Sequence, residues 1–217
     1  MASEETIAAH LAHLRAQIEG DDYNVEYKGG AGRADPEQRG QVYEYRTLTF
    51  GIDTPVTRGL KPGALDAIRA AGGELWSMFA CGAGIGMFST QLIVMTAWES
   101  ERALEDAGGV VLAQFAGVVE SSVERLVATI RPVGPQLQPL HLNHGTGQPC
   151  VYAHRWFNIE LKDWPEVLDL SNEAWRTFET RGPEILGFWL SLDVQAPLAR
   201  VFMISEWTPA FPALALA

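Results

Sequence analysis

The chemistry of this chain is concentrated in two short segments, Glu44-Tyr45-Arg46 and His154-Arg155-Trp156-Phe157-Asn158. Glu44 and Arg46 are two charges in a mostly apolar run, and buried charge is costly unless it is paired or used. A guanidinium facing a cavity holds a carboxylate, phenolate or enolate bidentately, or stabilises that charge as it develops. Arg155 repeats Arg46, so the two could serve one cavity. The same residues also support a purely structural reading, an ion pair between Glu44 and Arg46. His154 is the natural general base, and Asn158 could orient a substrate carbonyl. Arg46, Glu44, Arg155 and His154 are therefore the candidate catalytic groups. Trp98, Trp156, Asn158, Trp189 and Trp207 are the candidate substrate-binding residues, since large rings shape apolar pockets and stack on aromatic ligands.

Other reactive residue types carry less. His10 and His13, like His141 and His144, stand three apart, but no carboxylate or cysteine completes a zinc site, so no metal is expected. Cys81 and Cys150 have neither CxxC nor metal spacing and read as unreactive thiols of a reducing compartment. Gly82, Gly84 and Gly86 join two apolar strands and lack the strand-to-helix context of a phosphate loop, so they read as a hairpin turn.

The elements that must position these groups follow from periodicity. Ser3 to Glu19 reads as a helix with Ser3 as N-cap and Ile7, Leu11, Leu14 and Ile18 on one stripe. Asp21 to Gly40 reads as a connection. Val42 to Phe50 alternates as a strand, with Val42, Glu44, Arg46 and Leu48 on one face. Leu60-Lys61-Pro62-Gly63 leads into a short helix to Ala71, stopped by Gly72-Gly73. Leu75 to Cys81 and Gln91 to Trp98 read as hairpin strands, and Ser100 caps a helix expected to run, with a break at Gly108-Gly109, to about Ala128. Arg131 to Pro149 reads as a Pro/Gly-rich linker. Then come a strand from Val151 to Ile159, a helix near Trp164 to Thr180 with Asp163 as N-cap and Pro165 in its first turn, and strands Ile185 to Leu192 and Ala199 to Trp207. In this reading His154, Trp156 and Asn158 share the strand face opposite Arg155.

The two halves repeat one order of elements at an offset of 109 residues: Val42, Tyr43, Arg46, Gly73, Phe79 and Trp98 return as Val151, Tyr152, Arg155, Gly182, Phe188 and Trp207. The second half lacks a final helix, and the amphipathic N-terminal helix is expected to cover the sheet there. The organisation is thus residues 1–40, an N-terminal helix and connection; 41–130, a first repeat; 131–149, a linker; and 150–217, a second repeat.

Composition bounds the partners. A formal charge of -11 and a pI near 4.9 argue against nucleic acid and against an anionic membrane surface. The start, Met-Ala-Ser-Glu-Glu, shows no secretory signal, and no apolar run reaches membrane-spanning length, so the expected location is the cytoplasm.

Val42-Tyr43-Glu44-Tyr45-Arg46-Thr47, then Leu60-Lys61-Pro62-Gly63, then Ala97-Trp98-Glu99-Ser100 resembles the NIPSNAP family of the dimeric α+β barrel superfamily. The second half keeps only Val151-Tyr152, Arg155 and the hairpin, departs at Ala153, and lacks the Lys-Pro-Gly turn. The resemblance implies an α+β fold of two tandem ferredoxin-like repeats, an intrachain dimeric α+β barrel with helices outside antiparallel sheets, as monomer or homodimer. Superfamily members include cofactor-independent oxygenases, isomerases, polyketide-tailoring enzymes and haem proteins, among which fold alone does not choose. The leading expectation is a small-molecule enzyme acting on an apolar or aromatic anionic substrate in the barrel interior by acid/base or cofactor-independent chemistry (oxygenase, isomerase or cyclase type). One alternative is a haem protein with a single axial histidine, His154, His141 or His144; another is a non-catalytic ligand-binding or interaction protein.

Overall fold

The computed structural model describes residues 41–52, 60–80, 88–130, 151–179, 183–193, 195 and 197–207. The expected N-terminal helix, the turn Gly82 to Gly86, the linker 131–149, both cysteines and Thr208 to Ala217 lie outside the described residues. These residues form two compact units, Gln41–Arg125 and residues 126–130 with 151–207.

The first unit runs β1 (Val42–Phe50), α1 (Ala64–Ala70), β2 (Gly73–Ala80), β3 (Gln91–Trp98), α2 (Glu101–Ala107), α3 (Val110–Ala113) and the first part of β4 (Val118–Ile130). Its strands are ordered β2-β3-β1-β4, the split βαβ arrangement of ferredoxin-like units. Pro62-Gly63 makes the turn before α1: Gly63, at φ 78°, takes the left-handed conformation that glycine adopts without strain. The same turn is tied down by Lys61, whose Nζ donates to the Ala113 carbonyl at 2.6 Å and whose N–H donates to Gln114 at 2.9 Å. Ser100 caps α2 as expected, its Oγ accepting from the Ala103 N–H at 3.2 Å.

The expected helix beyond Gly109 ends early. Only Val110–Ala113 is helical, and Val118–Ile130 is a strand. Gly117 at φ 77° breaks the helix, and the β-branched Val118, Val119, Val123, Val127 and Thr129 stiffen χ1 in a way that suits a pleated strand.

The second unit contains the end of β4, β5 (Val151–Glu160), a 3₁₀ turn Leu161–Asp163, α4 (Trp164–Phe178), β6 (Glu184–Ser191) and β7 (Leu198–Trp207), with strands ordered β4-β6-β7-β5. Asp163 stands at the N-cap of α4 as expected, but its side chain makes no capping bond. The helix docks through aromatic rings: Trp164 stacks on Phe188 at 5.7 Å and Trp175 meets the same ring edge-on at 5.4 Å.

The registers of the two units correspond. Val42 pairs with Trp98 and Glu44 with Thr96 across β1/β3; Val151 pairs with Trp207 and Ala153 with Ser205 across β5/β7, each number larger by 109. On the hairpin's other strand the offset is 110: Leu75 pairs with Thr96, and Ile185 with Ser205. Phe188 therefore corresponds to Met78 and not to Phe79 as an unbroken offset would have it. A β-bulge follows at the same place in each unit, between Leu75 and Ser77 and between Ile185 and Gly187. Among the described residues no helix is long and apolar enough to cross a membrane.

Candidate functional site

In the first unit Glu44 and Arg46 are buried, 2% and 9% exposed, and they pair with each other, Arg46 Nε donating to Glu44 Oε1. Arg46 Nη1 also reaches Ser121 Oγ of β4 at 3.5 Å. This is the ion-pair arrangement: the guanidinium is engaged by a carboxylate two residues away on its own strand and anchors to the neighbouring one. Trp98 is 1% exposed, its Nε1 donating to Thr96 Oγ1 at 2.9 Å. Its ring lies over Gly73, where a Cβ would stand only 2.6 Å from the ring carbons. A ring closed in on that side does not hold a ligand, so the expected substrate-binding role of Trp98 gives way to core packing. Trp189 is corrected in the same way: it is fully buried, and its ring comes within 2.5 Å of the Cβ position of Gly187.

The second unit holds the remaining candidates on two faces of one sheet. Opposed residues on neighbouring strands share a face. Arg155 opposes Met203 and Phe157 opposes Val201, whereas His154 opposes Ile204, Trp156 opposes Phe202 and Asn158 opposes Arg200. The predicted separation of Arg155 from His154, Trp156 and Asn158 therefore holds. Helix α4 lies on the Arg155 side, because Phe157, Ile159, Phe188, Val201 and Met203 line a cavity of about 330 Å³ together with Val167, Leu170, Ser171, Ala174 and Trp175 of α4.

Arg155 stands next to this cavity, two residues along the strand face from Phe157 and opposite Met203. Its guanidinium lies 5.7 Å from the ring of Phe178 and 5.6 Å from that of Trp207, and Nη1 donates a long bond to Ser205 Oγ at 3.5 Å. Trp207 is held by its own bond to Ser205, 2.8 Å from Nε1 to Oγ, and by an edge contact with Phe178 at 5.4 Å. Among the described residues no carboxylate pairs with Arg155. Desolvation by partial burial lowers its pKa from the ordinary arginine value. A half-buried cation resting on two π faces and a hydroxyl is under-compensated, and an anion placed beside it gains.

On the opposite face Trp156 stacks on Phe202 at 4.3 Å and carries the Arg200 guanidinium 4.1 Å above its ring, while Asn158 is exposed. His154 sits edge-on to Phe202 at 5.5 Å with its Nε2 buried, and burial pushes its pKa down from 6.5 to about 3. Such an imidazole stays neutral near pH 7 and is a poor proton acceptor, which corrects the general-base role. Nor does it fit an axial haem ligand, because its Nε2 has no surface to present to iron. His10, His13, His141 and His144 lie outside the described residues, and among the described residues no three His, Cys, Asp or Glu gather as a metal site.

No family model and no curated protein matches this chain. Among solved structures it is similar to a "putative monooxygenase" from Lactobacillus acidophilus NCFM, at 10% identity and a TM-score of 0.40 over 82% of each chain. A likeness of that size carries no weight for fold or activity, and the NIPSNAP resemblance rests on its motifs alone.

Sequence reasoning found the helix Trp164–Phe178 but not the cavity that it walls. The signal was present in Val167, Leu170, Ser171, Ala174, Trp175 and Phe178, spaced three and four apart. It also passed over Glu206, which is 1% exposed and opposes Tyr152 on the His154 face. A lone glutamate inside the apolar run Ala199 to Trp207 was the available sign.

Proposed function

We propose that this protein binds an apolar or aromatic small molecule bearing one negative charge, with its body beneath α4 and its charge on Arg155. We further propose that it acts on such a molecule by favouring its anionic form. The observation that carries this reading is a guanidinium that no carboxylate among the described residues pairs, beside an apolar cavity. A volume of about 330 Å³ accommodates a single aromatic ring with a short substituent. The lining offers rings from Phe157, Trp175 and Phe188, and one hydroxyl, that of Ser171. A bound phenol or carbonyl acid would lose its proton more readily next to Arg155, as fixed positive charge in a partly dry site lowers the cost of the anion. This is the charge-stabilising half of a cofactor-independent isomerase, cyclase or oxygenase. A protein that holds the anion without turning it over would be a carrier instead.

The correspondence of registers, bulges and Trp–hydroxyl bonds, Trp98 to Thr96 and Trp207 to Ser205, supports reading the two units as copies of one ferredoxin-like unit. In that reading Arg46 and Arg155 have diverged: one copy retains a glutamate beside its arginine and the other has Ala153. The first copy is structural and the second is left with charge to offer a ligand.

Matched pairs of ligands test the proposal. Benzoate against benzamide, and hexanoate against hexanamide, are expected to separate by about tenfold or more in Kd measured by calorimetry, since a hydrogen bond to a charged group contributes about 1.5–3 kcal/mol. Equal affinities within a pair would sink it.

A further inference from the structure

We propose that Ser171 is the second polar contact of the ligand site, so that the molecule taken beneath α4 is an aromatic acid carrying a hydroxyl or carbonyl oxygen at the end of its ring remote from the charge. The inference rests on the reading of Arg155 given above and names the substrate class of that same site. Ser171 interrupts an apolar stripe: Val167, Leu170, Ala174 and Trp175 stand with it on the cavity face of α4, and the strands opposite contribute hydrocarbon side chains and one thioether. A serine in that place is a weaker helix former than alanine or leucine and buries less apolar surface than leucine. Serines inside helices commonly turn back onto the carbonyl four residues earlier. Among the described residues Ser171 makes no such bond, so its hydroxyl, both donor and acceptor, is open to a ligand.

The helix sets the spacing between hydroxyl and cation. α4 follows β5 through the short turn Leu161–Asp163 and ends beside Arg155, whose guanidinium lies 5.7 Å from the ring of Phe178, so the helix runs back along the strand. Phe178 comes seven residues after Ser171 on the same helix face, two turns and about 10 Å further along the axis. The charge and the hydroxyl of the site are therefore about two helical turns apart. One benzene ring with para substituents measures about 6 Å from carboxylate carbon to phenolic oxygen, and a hydrogen bond of about 3 Å at each end brings it to that range. A hydroxyl ortho to the carboxylate stays near Arg155 and falls short of Ser171.

Calorimetric titration of the full chain with substituted benzoates tests this. The ratio of the Kd of 4-methylbenzoate to that of 4-hydroxybenzoate is expected to fall about fivefold from the parent to Ser171→Ala, the worth of a hydrogen bond of about 1 kcal/mol. Alanine is the stronger helix former, so this variant keeps α4. Ser171→Thr, which retains a hydroxyl, is expected to keep the parent ratio. The preference for benzoate over benzamide, which belongs to Arg155, is expected to persist in both variants. A ratio unchanged in Ser171→Ala would overturn the role of Ser171 and leave the reading of Arg155 standing, whereas equal binding of benzoate and benzamide by the parent would overturn both. One comparison needs no variant: the parent is expected to bind 4-hydroxybenzoate more tightly than 2-hydroxybenzoate, and equal affinities would also overturn the proposal.

Discussion

His154 makes the stability of the second unit depend on pH in a way that one substitution can isolate. Its pKa falls from 6.5 in the unfolded chain to about 3 in the fold, so below pH 6.5 the unfolded state takes up a proton that the folded state refuses. Stability is therefore complete above pH 6.5 and lost as pH falls towards 3. The slope approaches about 1.4 kcal/mol per pH unit only once the unfolded imidazole is mostly protonated, so lowering the pH from 6.5 to 4.5 costs roughly 2 kcal/mol through this group. His154→Phe keeps a flat ring against Phe202 and removes the titration. Urea unfolding of both proteins at pH 7.5, 6.5, 5.5 and 4.5 is the assay, because the difference between the two curves cancels every carboxylate they share. The parent protein is expected to lose about 2 kcal/mol more than the variant between pH 6.5 and 4.5. Parallel curves would refute the reasoning and return His154 to solvent.

The ion pair of the first unit predicts a distinct pattern. Arg46→Ala strands a buried carboxylate and is expected to cost about 3–5 kcal/mol, read as a lower melting temperature, whereas Glu44→Leu with Arg46→Met recovers most of the loss; a catalytic Arg46 would instead leave stability nearly unchanged. Gly187→Ala drives a methyl into the ring of Trp189 and is expected to destabilise by about 1–3 kcal/mol, with Trp189→Phe relieving part of it in the double variant. Additive losses would show that the two sites do not touch.

Much of the scaffold was legible because its signals are local. Val42 to Phe50 and Gln91 to Trp98 alternate or run apolar between turn residues, and Ser100 is a capping residue in front of a helix. The strand Val118–Ile130 was misread because Ser100 and the residues after it set a helical expectation that Gly117 interrupts without an obvious break in polarity. Within the candidate site, sequence alternation separated Arg155 from His154, Trp156 and Asn158, but not which of those faces a helix covers, since that depends on where α4 lands. Nor does a tryptophan's identity show whether its ring meets a ligand or a glycine: Trp98 and Trp189 close over Gly73 and Gly187, contacts set by strand pairing and a bulge. In the function proposed above, Arg46, with Glu44 beside it, is structural, and Arg155, two residues after Ala153, offers its charge to a ligand.

The most direct test of the ligand reading is the colour of 4-nitrophenol. Its phenolate absorbs near the visible and its neutral form does not, so a pH titration in the presence of excess protein reads the ionisation of the bound molecule. Arg155 beneath α4 predicts that the bound phenol ionises at lower pH than the free one, by about one unit or more, and that Arg155→Met abolishes the shift while leaving the unfolding curve near that of the parent. A bound nitrophenol that titrates like the free molecule, or a shift that survives in Arg155→Met, would contradict the account.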